Sequence, residues 1–217
     1  MVMSDVSGAR KQSFDGLVII PAYNEESMIS TVVGKLRTLG YEVLVVDDGS
    51  KDHTAQQAKQ AGARVVVHPV NLGQGAALQT GFDYALRSGF TSVITFDADD
   101  QHDPGDIKRL HECMQQESAD YVLGSRFIGK VDGMSPARYW LLRAAVWFTR
   151  LTSGMRLTDA HNGLRLITAR GLNHISLRQN RMAHASEILE QIASSGLRYG
   201  RSDQRTLILG FQHQRAG

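Results

Sequence analysis

The sequence predicts an α/β fold with a mostly parallel sheet and helices on both faces. Three observations carry that expectation. Short apolar runs alternate with segments of helical periodicity from residue 16 to about residue 125. The runs are nearly continuous rather than alternating, as in strands covered on both sides. Polar and acidic residues follow run after run, at the strand ends where open parallel sheets bind ligands.

Leu17-Val18-Ile19-Ile20 is the first strand, and Pro21 ends it. Met28, Val32, Leu36 and Leu39 recur at helical spacing, and Gly40 stops that helix. Val43-Leu44-Val45-Val46 is the second strand, broken by Asp47-Asp48-Gly49-Ser50. A helix from about Asp52 to Ala61 leads to a strand from Arg64 to Val67. Gly75 to Leu86 reads as helix and Ser92 to Phe96 as strand. Pro104 suits the first turn of the next helix, with Asp103 as its cap. Tyr121-Val122-Leu123 is a further strand. Beyond residue 130 the pattern loosens into a helix over about 136–152, a polar stretch from Thr158 to Arg165, and a helix from about Met182 to Ser195.

The 217 residues, 42% of them hydrophobic, suffice for one domain with a real core. A net charge of +2 implies no nucleic-acid partner. The single cysteine, Cys113, allows no disulfide within the chain and sits among apolar neighbours, so a buried inert thiol in the reducing cytoplasm is expected. Residues 1–15 are polar and mixed, unlike a leader. The longest apolar candidate, Tyr139 to Leu151, contains Arg143 and Arg150. It is too short to span a bilayer and suits at most a peripheral contact at the membrane's cytoplasmic face.

The most informative residues are Asp97-Ala98-Asp99. If the strand runs on through them, both carboxylates point to one side. Like charges that close need a cation between them, and Mg²⁺ or Mn²⁺ commonly bridges such carboxylates to substrate phosphates. Asp100-Gln101-His102-Asp103 adds further oxygen donors. His102 itself is expected to face solvent or stand behind the ligands.

Five motifs in order then resemble one family: Ile19-Ile20-Pro21-Ala22-Tyr23-Asn24-Glu25, Val45-Val46-Asp47-Asp48-Gly49-Ser50, Asn71-Leu72-Gly73-Gln74-Gly75, Asp97-Ala98-Asp99-Asp100-Gln101-His102 and Gly124-Ser125-Arg126. They resemble family 2 glycosyltransferases of the GT-A fold, a Rossmann-like arrangement. The branch most similar is that of dolichol-phosphate mannose synthase-like and polyprenyl-phosphate sugar transferases. The resemblance covers about residues 16–190. It implies a single domain over 1–217, with a nucleotide-sugar-binding part at about 16–130, an acceptor-side part at about 131–200 and a divergent tail at 198–217.

The resemblance also implies roles. Pro21, Tyr23 and Glu25 line the base and ribose pocket, Asp48 with Asp47 beside it hydrogen-bonds the base or ribose, and Gly73 and Gly75 admit the nucleotide close to the backbone. Asp97, Asp99 and Gln101 hold Mg²⁺ or Mn²⁺ on the donor diphosphate, Asp97 also touching the nucleotide. Asp97, Asp99 and Arg126 are the implied catalytic set. Arg126, Arg138 and Arg165 are candidates for the acceptor phosphate. Asp159 and Gly163-Leu164-Arg165 resemble a later family segment near the acceptor, Asn162 stands where Ser is usual, and Glu187 falls on the following helix. The end departs from the pattern: Arg198 to Gln204 offers nothing like the family's Glu-Val-Pro-Val strand.

The donor is thus expected to be a nucleoside-diphosphate sugar and the acceptor a lipid phosphate. A hydroxyl acceptor needs a base, and only Asp159 and Glu187 are placed to substitute for the acidic pair that relatives use. A phosphate acceptor is already an anion and needs cationic partners, for which arginine is suited. Two alternatives stay open: transfer to a sugar hydroxyl of a surface polysaccharide, and nucleotide-sugar binding without turnover. A nucleotidyltransferase is disfavoured, because no glycine- and arginine-rich loop follows the first strand. Taken singly, the motifs have plainer explanations. Asp47 to Ser50 suits any strand-ending turn, Glu25 suits a helix start, and Trp140, Trp147 and Phe148 suit a core. The oligomeric state is not legible.

Overall fold

A computed structural model describes residue 14 and residues 16–125, 163–179 and 183–203. The elements are β1 (Leu17–Ala22), α1 (Ile29–Thr38), β2 (Glu42–Asp47), α2 (Thr54–Gln60), β3 (Arg64–Val67), α3 (Gln74–Arg87), β4 (Ser92–Thr95), α4 (Asp106–Glu117), β5 (Tyr121–Ser125), β6 (Arg165–Thr168), α5 (Ala169–Leu172), α6 (Ala183–Ser194) and β7 (Tyr199–Asp203). The strands form one seven-stranded sheet in the order β3-β2-β1-β4-β6-β5-β7. Among the described strands only β6 runs against its neighbours, β4 and β5. The pairs β1–β2, β1–β4, β2–β3 and β5–β7 are parallel.

The sequence dictates this covering. Val18, Ile20, Val43, Val45, Ile94, Val122 and Leu166 face a core shared with Val32, Val33 and Leu36 of α1, Ala58 of α2 and Ile107 and Leu110 of α4. The alternate strand residues Leu17, Ile19, Leu44, Val46, Val93, Tyr121 and Ile167 face Ala77, Leu78, Phe82 and Ala85 of α3, Leu172 of α5 and Ile188, Leu189 and Ile192 of α6. Both faces are therefore apolar, which is why the runs read as continuous. Gly40 ends α1 with φ +86°, a conformation that costs glycine little. Gly81 lets α3 lie close on β1, since a Cβ there would press on the Ile19 side chain.

Three elements differ from expectation. β4 stops at Thr95, and Ala98 and Asp99 lie in a turn, so the two aspartates do not share a strand face by alternation. The backbone leaves the sheet where β1 also ends its pairing with β4, at Ile19 opposite Thr95. β6 was hidden in the sequence: four residues are too few to show a period, and Leu166-Ile167 is its whole apolar content. β7 forms where no strand was expected. Tyr-Gly-Arg-Ser-Asp has little strand propensity, yet its backbone pairs with β5 from Tyr121–Tyr199 to Ser125–Asp203. A short polar strand is what a sheet edge tolerates. Cys113 is half-buried rather than buried. The helix expected over about 136–152, with Arg138, Arg143, Arg150, Trp140, Trp147 and Phe148, lies outside the described residues, as do Arg126, Asp159 and Asn162.

Candidate active site

β1 is flanked by β2 on one side and β4 on the other, so the chain winds outward from it in both directions. Such a reversal opens a crevice beyond the carboxyl ends of the strands. A cavity of about 500 Å³ lies there, ordinary for a small-ligand site. Pro21, Ala22, Tyr23 and Glu25 line it from the end of β1, Asp48 from β2, and Thr95, Asp97, Ala98 and Asp99 from β4. Asn71, Gly73, Gln74, Ala77 and Leu78 form the wall leading into α3. Gly163 and Arg165 come from the entry to β6, and His184 and Ala185 from the start of α6.

Each wall is held by identifiable bonds. The loop after β1 is laced to the turn after β2. Asn24 N donates to Ser50 Oγ (2.9 Å), Lys51 N to Asn24 Oδ1 (2.9 Å), Glu25 N to Thr54 Oγ1 (2.8 Å) and His53 N to Glu26 Oε2 (2.9 Å). Asn24 adopts φ +56° here, which its short polar side chain tolerates. This lacing sets Tyr23, still 42% exposed, and Glu25 at the cavity rim.

Asp47 and Asp48 are both buried but do different things. Asp47 Oδ1 accepts from Ser50 N (2.8 Å) and closes the turn; it does not line the cavity. Asp48 does line it, and it also accepts from Leu72 N (2.9 Å) and Gly73 N (2.7 Å). Gly73 lines the cavity with φ +96°, whereas Gly75 does not: a Cβ there would strike the Gln179 carbonyl and crowd His184.

The acidic turn is braced from two sides. His102 is buried, with Nε2 2.9 Å from Asp97 Oδ2 and its ring edge-on to Phe96. It thus stands behind Asp97 rather than facing solvent. Lys35 of α1 holds both oxygens of Asp100 (2.7 and 2.6 Å). That contact steadies Asp100 at φ +59°, next to Asp99. Gly163 packs so closely that a Cβ would fall on the Asp97 carboxylate, and its carbonyl accepts from Thr95 Oγ1. Gln101 is exposed and does not line the cavity. Burial, then the nearby charges of Asp99 and Asp52, raise the Glu25 carboxyl above its usual range.

Asp97, Asp99 and Glu25 make the cavity lining acidic. Among the described residues no group of three His, Cys, Asp or Glu side chains closes around a metal ion. Two hard carboxylates with open coordination fit a Mg²⁺- or Mn²⁺-type cation shared with a phosphate ligand, rather than one caged by protein. Arg165 is buried and lines the cavity, paired in register with Thr95, two residues before Asp97, so Arg165 and Thr95 share a sheet face. Glu187 does not reach the cavity. Its carboxylate accepts from Arg178 N (3.1 Å) and Gln179 N (2.9 Å) and pins that segment to α6. Sequence reasoning missed His184 and Ala185, whose only signal was a place on the C-terminal helix.

Residues 17–174 match the family described as Glycosyl transferase family 2. The chain belongs to that family. Among its relatives is UDP-N-acetylglucosamine–dolichyl-phosphate N-acetylglucosaminyltransferase of Methanococcus voltae, 32% identical across 88% of this chain and 84% of that protein. Another is undecaprenyl-phosphate mannosyltransferase of Micrococcus luteus, 34% identical across 74% of this chain and 69% of that one. The fold matches a crystal structure of glucosyl-3-phosphoglycerate synthase from Mycobacterium tuberculosis in complex with Mn²⁺, UDP-glucose and phosphoglyceric acid. The TM-score is 0.67, with 22% identity over 89% of this chain and 72% of that one. The family 2 chain described here is a glycosyltransferase of the GT-A fold, as the five motifs implied. No helix among the described residues is long and apolar enough to cross a membrane.

Proposed function

We propose that this glycosyltransferase moves a sugar from a nucleoside diphosphate to a polyprenyl phosphate, with inversion at the anomeric carbon. Tyr23, Glu25, Asp48 and the Gly73 backbone receive the nucleoside. Asp97 and Asp99 hold a divalent cation, with Gln101 close by in sequence. Bound there, Mg²⁺ or Mn²⁺ supplies Lewis-acid stabilisation of the leaving diphosphate. Arg165 meets the acceptor phosphate, with Arg126 and Arg138 as its proposed companions. An oxygen of that phosphate attacks the anomeric carbon, the bond to the donor diphosphate breaks, and its electron pair leaves with the nucleoside diphosphate. No proton needs to be removed. Residues 16–130 serve the donor and 131–200 the acceptor, at the cytoplasmic face of the membrane.

The observation that carries the choice of acceptor is that a buried arginine, Arg165, lines the same cavity as the carboxylates Asp97 and Asp99. Glu187, one of two sequence candidates for a base, spends its carboxylate on backbone amides. The named relatives act on dolichyl and undecaprenyl phosphates, which supports the same acceptor class. Transfer assays over a panel of nucleotide sugars decide it. Label is expected to move to a short-chain polyprenyl phosphate far faster than to any soluble sugar hydroxyl. Faster transfer to a soluble hydroxyl overturns this acceptor.

A further inference from the structure

Behind the cavity wall lies a buried histidine that no step of the proposed reaction uses. His68 follows β3 directly, and its backbone N donates to Asp47 O (2.8 Å), extending the ladder with β2. Its ring is buried between two elements. Nδ1 lies 2.8 Å from Asp48 Oδ1, and Nε2 lies 2.9 Å from Thr80 Oγ1 on α3. A carboxylate only accepts, so Nδ1 carries a proton and Nε2 is left to face the threonine hydroxyl. Asp48 Oδ1 also receives Leu72 N, and Oδ2 receives Gly73 N. Gly49 closes the other side: a Cβ there would press on the Val70–Asn71 backbone.

We infer that His68 is a positioning residue for the donor nucleotide. It locks the Asp48 carboxylate against α3, and the carboxylate in turn holds the Leu72–Gly73 turn that shapes one wall of the cavity. This inference rests on the proposed donor site. With His68 and the two amides in place, the second acceptor position of Oδ2 is left for a donor group on the ligand. Without the histidine, Asp48 rotates and the turn loses its anchor. The result is a weaker grip on the nucleoside diphosphate, with the transfer step itself untouched.

Conservative variants separate positioning from packing. Asparagine places an amide N–H where Nδ1 sits, whereas glutamine places one near Nε2 and leaves Asp48 without its donor. Two measurements are made on the wild type, His68→Asn and His68→Gln: Mn²⁺-supported UDP and GDP affinity by calorimetry, and amide hydrogen exchange at Leu72 and Gly73 without ligand. His68→Gln is expected to weaken the preferred nucleotide roughly tenfold, the loss of one charge-assisted hydrogen bond, and to speed exchange at both amides. In turnover it raises the donor KM and leaves kcat unchanged. His68→Asn stays within about threefold of wild type by the same arithmetic. If His68→Gln binds and exchanges like wild type, the inference fails while the donor site stands. Equal loss in both variants, in step with equal loss of thermal stability, also overturns it, since packing alone then explains the effect. If the wild type binds neither nucleotide, the donor site fails and takes this inference with it.

Discussion

Glu25 shows how the site trades stability for charge. Its carboxyl is raised first by burial, then by the negative charges of Asp99 and Asp52. A raised folded pKa means that the folded protein holds this proton more tightly than the unfolded chain. Stability is therefore greatest below the unfolded value, ~4.3, and falls as pH climbs through the raised folded value. Glu25→Gln is expected to raise the metal-free Tm at pH 7 by ~1–3 °C. That gain vanishes below about pH 4.3. Thermal melts of both proteins from pH 4 to pH 8 in chelator check it, and a gain that persists in acid contradicts the assignment. Residue identities at the site were largely legible in the sequence, because Pro21, Tyr23, Glu25, Asp48, Gly73, Asp97, Asp99 and Arg165 all line one cavity. Their bonding was not. Period-two alternation placed Asp97 and Asp99 on a strand, whereas a turn braced by His102 and Lys35 presents them. Lys35 reaches Asp100 from 65 residues away, and His102, only five residues from Asp97, bonds it through an irregular turn, so neither brace leaves a periodic pattern.

At the scale of elements, β1 to β5 and the helices between them were readable because apolar runs alternate regularly with segments of helical pattern. The helix expected from about Met182 to Ser195 is α6 (Ala183–Ser194), but the C-terminal strands β6 and β7 were not readable, because tertiary pairing rather than propensity makes them strands. Asp120 shows what holds them. Its backbone N donates to Arg198 O (2.8 Å) at the start of β7, and its carbonyl accepts from Thr168 N (2.9 Å) at the end of β6. Its side chain accepts from Arg170 Nε (2.8 Å) and from Thr168 Oγ1 (3.1 Å). The Arg170 hydrogen bonds hold the Asp120 carboxyl below its usual range, against the pull of burial. A depressed folded pKa stabilises above the unfolded value, ~3.9, and that stabilisation is lost as pH falls through the folded value. Arg170 is mostly exposed, so solvent screening weakens the pair. Asp120→Asn is expected to lower Tm by ~2–5 °C at pH 7. The difference from wild type shrinks in melts below about pH 3.9. A difference that is constant with pH contradicts the role of the ion pair.

For the whole molecule, the winding of the sheet explains why the site is where it is. Strands that fan out on either side of β1 leave a crevice, and five of the described loops meet over it. One of these carries acid from β4, one the buried Asp48, and one the Arg165 wall beside the lone antiparallel strand described. Carboxylates and a buried arginine lining one cavity suit two phosphate groups held at once, one bridged through a cation and one by arginine. The central claim is that Asp97 and Asp99 draw a nucleoside diphosphate into this crevice through a divalent cation. Calorimetry with UDP and GDP, in Mn²⁺ and then in excess EDTA, tests it on the wild type and on Asp99→Ala. The wild type is expected to bind one of them and to lose roughly tenfold or more in EDTA, the scale of a lost metal contact. Asp99→Ala is expected to bind at the weak level under both conditions. Wild-type affinity that neither chelator nor Asp99→Ala changes would contradict the account.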